Sequence, residues 1–180
     1  ENAGMAIALL DTFCQEDGRE LASNDFLGQA LEETSWPGRL EIVSRDPLMI
    51  LDGAHNPHAI KALLVTLQER FADYHKEILF TCIKTKALGD MLDLLGAMPD
   101  TELTLTHFAD SRATDESVLK EAAKSRNLSY QDWHDFLEQN LTDKKEEKQT
   151  VRIVTGSLYF LSQVRAYLME RKNENGYTKD

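Results

Sequence analysis

Three short segments hold the side chains best suited to chemistry: Pro37-Gly38-Arg39, Asp52-Gly53-Ala54-His55-Asn56-Pro57 and Thr155-Gly156-Ser157. Asp52 ends an apolar run, Leu48 to Leu51, that reads as a buried strand. Gly53 lets the backbone turn closely, and Asn56-Pro57 supplies an N-cap and a first-turn proline for a helix. Such a turn sets Asp52 and His55 at the rim of a sheet. There the paired oxygens of an aspartate can accept both hydroxyls of a ribose diol. The competing role is a strand-end Asp that caps the turn, with His55 facing solvent. Arg39 follows a glycine at the start of a neighbouring strand, where its guanidinium either grips phosphate or stacks on a base, or pairs with Glu41 or Asp46. Ser157 opens the last helix and either binds a carboxylate or caps that helix.

Other chemistries find little support. His55 and His58 are three apart, but no further ligand lies at a matching spacing and Pro57 sits between them, so no metal site is expected. There is no Gly-x-Ser-x-Gly elbow, no Gly-x-Gly-x-x-Gly and no phosphate loop, so the chain does not supply a triphosphate cradle. Lys84, Lys86 and Arg112 read as solvated loop cations. With 20 Lys plus Arg against 31 Asp plus Glu, a net charge of −11, a nucleic-acid partner is not expected, because phosphate neutralisation needs a basic face. Cys14 and Cys82 form neither a disulfide framework nor a metal knuckle. No apolar stretch approaches the roughly 20 residues of a membrane span. Without a secretory signal, a cytoplasmic protein is expected. A chain opening on Glu1 suggests a fragment or a processed product.

The elements that must position these residues follow from periodicity. Ala3 to Phe13 is apolar almost all round, a helix expected to be buried on more than one side. Asn24 or Asp25 caps a second helix carrying Phe26, Leu27, Ala30 and Leu31. Ser35-Trp36-Pro37-Gly38 then reads as a linker and a domain boundary. Beyond it a hairpin (Leu40 to Ile42, Leu48 to Leu51) precedes a helix with Ile60, Leu63, Leu64, Leu67 and Phe71. Strands over Ile78–Ile83, Leu103–His107 and Val151–Thr155, with a short one over Leu128–Tyr130, alternate with helices around Met91, Leu119, Trp133–Leu141 and Leu158–Leu168. Thr114 or Asp115 caps the helix at Leu119. Asp143 to Lys148 reads as a solvated loop and Arg171 to Asp180 as a frayed polar tail. Apolar strands alternating with helices predict an α/β, Rossmann-like three-layer sandwich. Its sheet has about six strands, mostly parallel with one antiparallel edge, and helices on both faces. Residues 1–35 form tail helices and linker, 36–172 the α/β domain and 173–180 the tail.

The three motifs, in this order and with thirteen positions from Arg39 to Asp52, resemble the C-terminal domain of folylpolyglutamate synthase and dihydrofolate synthase, members of the Mur ligase superfamily. The stretches Trp36-Pro37-Gly38-Arg39-Leu40-Glu41 and Thr155-Gly156-Ser157-Leu158-Tyr159-Phe160 carry the likeness with the Asp52 turn. Asn2-Ala3 and the helix behind it are similar to the end of the family's ATPase domain. The resemblance implies an ATP- and Mg2+-dependent amide ligase that adds L-glutamate to folate or dihydropteroate through an acyl phosphate. Asn2, Arg39 and Asp52 would bind ATP, His55 would be catalytic, and Asn56 and Ser157 would bind substrate. The phosphate loop and magnesium ligands would lie in an upstream ATPase domain of the same chain, so the isolated chain is expected to be inactive. Lys84-Thr85-Lys86-Ala87 departs from the Asp-Lys-Asp run of many relatives. The alternatives are a peptidoglycan-precursor Mur ligase domain and a non-catalytic nucleotide-binding or interaction module.

Overall fold

The structure, a computed structural model, describes residues 2–34, 36–84, 86–139 and 149–174, without the side chains of residues 2, 32, 33 and 172–174. The chain divides into two units, Glu1–Trp36 and Pro37–Asp180. The first contains α1 (Asn2–Glu16) and α2 (Asn24–Glu33). Ser23 caps α2, its hydroxyl accepting the Phe26 N–H. Asn24 and Asp25, expected as caps, sit inside the first turn, where Asp25 complements the helix dipole. Met5, Leu9 and Phe13 lie one turn apart on α1 and are exposed. The burial on more than one side expected of this helix is therefore not provided by the described residues.

In the second unit the sheet order is β1-β2-β6-β3-β4-β5. The strands are β1 (Glu41–Arg45), β2 (Leu48–Asp52), β3 (His75–Phe80), β4 (Thr101–Leu105), β5 (Ser129–Tyr130) and β6 (Thr150–Thr155). Only β1 is antiparallel to its neighbour, as the hairpin dictates. Every other pairing is parallel. Period-two alternation sorts the side chains into two layers. Ile78, Phe80, Val151 and Ile153 join the core beneath α3 (Pro57–Arg70) and α4 (Leu88–Gly96), with Ala123 of α5 (Glu116–Ser125). Leu79 and Val154 face the other layer, with Trp133 and Phe136 of α6 (Trp133–Glu138) and Phe160, Leu161 and Val164 of α7 (Leu158–Glu174). The central strands are covered on both sides, which is why they read as continuous apolar runs.

Several boundaries differ from those expected of the sequence. β3 begins at His75, because polar His75 to Glu77 are recruited by pairing with Thr150 to Arg152, and Thr81 to Ile83 lie beyond its end. β4 shifts likewise to Thr101–Leu105. α6 stops at Glu138 rather than Leu141, where the Arg152 guanidinium takes the carbonyls of Phe136 and Gln139. α7 continues through Glu174. Arg171, expected in a frayed tail, is engaged by Glu138 and Tyr167. Asp115 occupies the N-cap of α5 but makes no side-chain cap bond. The Asp143–Lys148 loop and the end of the polar tail lie outside the described residues. No described helix is long and apolar enough to cross a membrane.

Candidate active site

The first two motifs are parts of one latch at the carboxyl end of β2. Hairpin pairing sets Glu41 opposite Leu51, so Leu40 falls beside Asp52. One carboxylate oxygen of Asp52 accepts the Leu40 N–H at 3.0 Å and the other the Ala54 N–H at 2.9 Å. The Gly53 N–H donates to the Gly38 carbonyl at 2.6 Å, and the Gly38 N–H to Glu41 at 2.8 Å. These bonds hold Leu40 at φ +45, a left-handed conformation costly for a branched side chain, which takes it out of the strand expected to contain it. A Cβ at Gly53 would come 2.5 Å from a methyl of the exposed Leu158, which can move aside, and 3.1 Å from the Gly38 carbonyl oxygen, which cannot, so the backbones approach closely here. The thirteen-residue spacing is thus a hairpin register closed by a side-chain bridge.

Asp52 therefore caps its turn, as the simpler reading of the sequence has it, yet each oxygen keeps a further lone pair for a hydroxyl. Burial raises its carboxyl above the usual carboxylate range, against the pull of the Leu40 and Ala54 N–H groups and the Arg39 charge. Arg39 is exposed. Of its two expected partners, Glu41 is taken by Arg165 at 2.9 Å and Asp46 forms no ion pair with it, nor does any other described residue. A cation beside a partly buried acid is thereby left open to a ligand.

His55 is only partly open to solvent. It is half-buried, and its Nδ1 lies 2.8 Å from the Gly53 carbonyl. A carbonyl only accepts, so that nitrogen carries a proton and Nε2 remains for other work. Asn56 caps α3 with its side-chain oxygen on the Ala59 N–H at 2.9 Å, leaving its amide group as a donor. Thr155 donates to the Ala54 carbonyl at 3.2 Å, tying the third motif to the Asp52 turn. Ser157 is buried at the mouth of α7, and its hydroxyl has no partner among the described residues. Its side chain makes no cap bond to α7. Asn2 lies in the first unit, and its side chain is outside those described.

The rest of the rim was not legible in the sequence. The loops after β3 and β4 are joined by an Ile83–Ala113 bridge, by Lys84 N–H to the Arg112 carbonyl and by Thr114 N–H to the Cys82 carbonyl, both at 2.9 Å. Lys84 pairs with Asp115 at 2.8 Å. Arg112 grips Asp110 through Nε and a terminal nitrogen at 2.8 and 2.6 Å and lies 3.5 Å over the Tyr159 ring. This grip holds the Asp110 carboxyl down to about 2. Lys84 and Arg112, read from sequence as solvated charges, thus tie the two loops together and fix one of them to the first turn of α7. Nothing in local spacing connects Arg112 with an aromatic ring 47 positions later. Among the described residues no cluster of three His, Cys, Asp or Glu could hold a metal ion.

The profile of the family described as "Mur ligase, glutamate ligase domain" matches residues 38–158. The chain belongs to this family. The dihydrofolate synthase/folylpolyglutamate synthase of Bacillus subtilis (strain 168) is 32% identical over 171 residues, covering 93% of this chain and 38% of the relative. The crystal structure of a bifunctional folylpolyglutamate synthase/dihydrofolate synthase from Yersinia pestis, complexed with AMPPNP and a Mn ion, has a TM-score of 0.68. It is 29% identical and covers 83% of this chain and 35% of that one. A bifunctional synthase with Mn, AMPPNP and L-glutamate bound gives a TM-score of 0.67 at 29% identity, over 83% of this chain and 36% of that one. The chain thus spans less than two fifths of the length of these family members.

Proposed function

We propose that the chain is the C-terminal domain of an ATP-dependent ligase that adds L-glutamate to folate or dihydropteroate, working in the cytoplasm. In this reading residues 1–35 are the tail of an upstream ATPase domain that supplies the phosphate loop and the Mg2+ ligands. The observation that carries it is the latch: a half-buried Asp52 with spare lone pairs and an Arg39 that forms no ion pair with a described residue, side by side at strand tips, in a member of a glutamate ligase family. A carboxylate is a poor electrophile until one oxygen becomes a good leaving group. Transfer of a phosphoryl group from ATP to the substrate carboxylate makes it one, and attack by the amino group of glutamate then forms the amide and releases phosphate. Arg39 binds the phosphates or base, Asp52 the ribose hydroxyls and Asn2 the adenine. His55, its ring fixed by the Gly53 carbonyl, offers Nε2 to the reacting groups as the catalytic residue. Asn56 and Ser157 face the substrates. Closure of the two domains would exclude water from the acyl phosphate.

The isolated chain is expected to show no turnover, and addition of the upstream domain in trans to restore ATP-dependent incorporation of labelled glutamate into folate or dihydropteroate. Nucleotide binding without amide formation in the reconstituted protein would instead make the chain a binding module. A peptidoglycan-precursor ligase is less favoured, because the relatives described above are folate ligases.

A further inference from the structure

Two hydroxyls in the second unit are closed to solvent and have no hydrogen-bond partner among the described residues: those of Thr81 and Ser157, which are 0% and 3% exposed. Other buried hydroxyls of this region are paired, Thr155 with the Ala54 carbonyl and Thr114 with Cys82. A buried hydroxyl without a partner loses its hydration and gains nothing in return, so valine or alanine would serve packing better. Their residues sit at the ends of neighbouring strands. Phe80 is in register with Thr155, so Thr81 stands abreast of Gly156, and its carbonyl would be 1.8 Å from a Cβ placed on that glycine. Alternation from Leu79 puts the Thr81 side chain on the face that α7 covers. The first i→i−4 bond of α7 runs from the Leu161 N–H to the Ser157 carbonyl, so the N–H groups ahead of it are unclaimed by the helix, and no acidic residue occupies its first turn.

We infer that Thr81 is a second binding residue beside Ser157, and that the two hydroxyls hold one carboxylate of the incoming amino acid under the first turn of α7. Hydroxyl and helix N-terminal donors converging from two strand ends suit an anionic oxygen, and the helix dipole favours it. Because both oxygens are covered, the carboxylate enters as the first turn of α7 parts from the ends of β3 and β6. This inference rests on the ligase reading and adds to it a residue that the sequence motifs do not contain.

The test uses the enzyme that includes the upstream ATPase domain, with Thr81→Val, Thr81→Ser and the unaltered protein compared in steady-state kinetics and thermal melting. Thr81→Val removes the hydroxyl at nearly constant volume. It is expected to raise KM for glutamate by about tenfold, as loss of a hydrogen bond to a charged group does. KM for ATP should be unchanged and the melting temperature unchanged or higher. Thr81→Ser, which keeps the hydroxyl, should restore KM for glutamate. A glutamate KM within twofold of the unaltered enzyme in Thr81→Val overturns the inference while leaving the ligase reading intact. An unaltered enzyme that ligates no amino acid overturns both.

Discussion

Gly156→Ala is expected to lower the stability of the second unit by more than about 4 kcal/mol, enough to leave a domain of ordinary stability largely unfolded. Two independent causes add. Gly156 has φ +110, outside the regions open to residues with a Cβ. The new methyl would also lie 1.8 Å from the Thr81 carbonyl and 2.7 Å from the Phe80 ring, and both neighbours belong to the packed centre of the sheet. Backbone and a buried ring cannot step aside as the end of an exposed side chain can. Gly96, the last residue of α4, has open space where a Cβ would be and is the control. Gly96→Ala should be neutral or stabilising by up to about 1 kcal/mol. Urea denaturation of the two variants checks the contrast, and a Gly156→Ala protein with an unshifted midpoint would show that β3 and β6 do not approach this closely.

Arg152→Met is expected to cost about 3–5 kcal/mol, the usual penalty for removing one member of a buried ion pair. The Arg152 side chain is 4% exposed; Nε donates to Glu77 at 2.7 Å, and one terminal nitrogen donates to the carbonyls of Phe136 and Gln139. Without the guanidinium, a largely buried carboxylate and two carbonyls at the end of α6 lose their donors at once. Changing Glu77 to Met as well removes the stranded charge and should recover a large part of the loss, so a double-mutant cycle separates the pair from the carbonyl contacts. Equal losses in the single and double variants would mean that the ion pair contributes nothing beyond packing.

The residues that set these effects differ in how visible they are in the sequence. The sheet and its covering helices are legible because apolar strands and 3.6-period helices alternate, and Asn56-Pro57 marks the start of α3 without ambiguity. The ends of β3 and β4 are not, since His75 to Glu77 and Thr101 to Glu102 are polar and become strand only through pairing with neighbours distant in sequence. Part of the site is legible in position: Asp52 and His55 lie on a glycine-bearing turn between β2 and α3, and Arg39 lies just ahead of β1. Two kinds of feature escape. Arg112 and Lys84 are ordinary loop cations until tertiary structure brings Tyr159 and Asp115 to them. Thr81 lies inside the apolar run Ile78–Ile83, as a threonine can in any strand, and only the closed environment of its hydroxyl sets it apart. Ser157 is an intermediate case, since its position suggested a helix cap and the geometry leaves its hydroxyl idle.

The central claim is that the strand tips bearing Asp52 and Arg39 grip a nucleotide. Arg39 is the cleaner probe, because Asp52 also holds the latch together whereas Arg39 is exposed and forms no ion pair with a described residue. The decisive measurement is KM for ATP of Arg39→Ala in the enzyme that includes the upstream domain. The account predicts a rise of about tenfold or more, the effect of losing a charge-assisted contact, with melting temperature and glutamate KM unchanged. An ATP KM equal to that of the unaltered enzyme would contradict it.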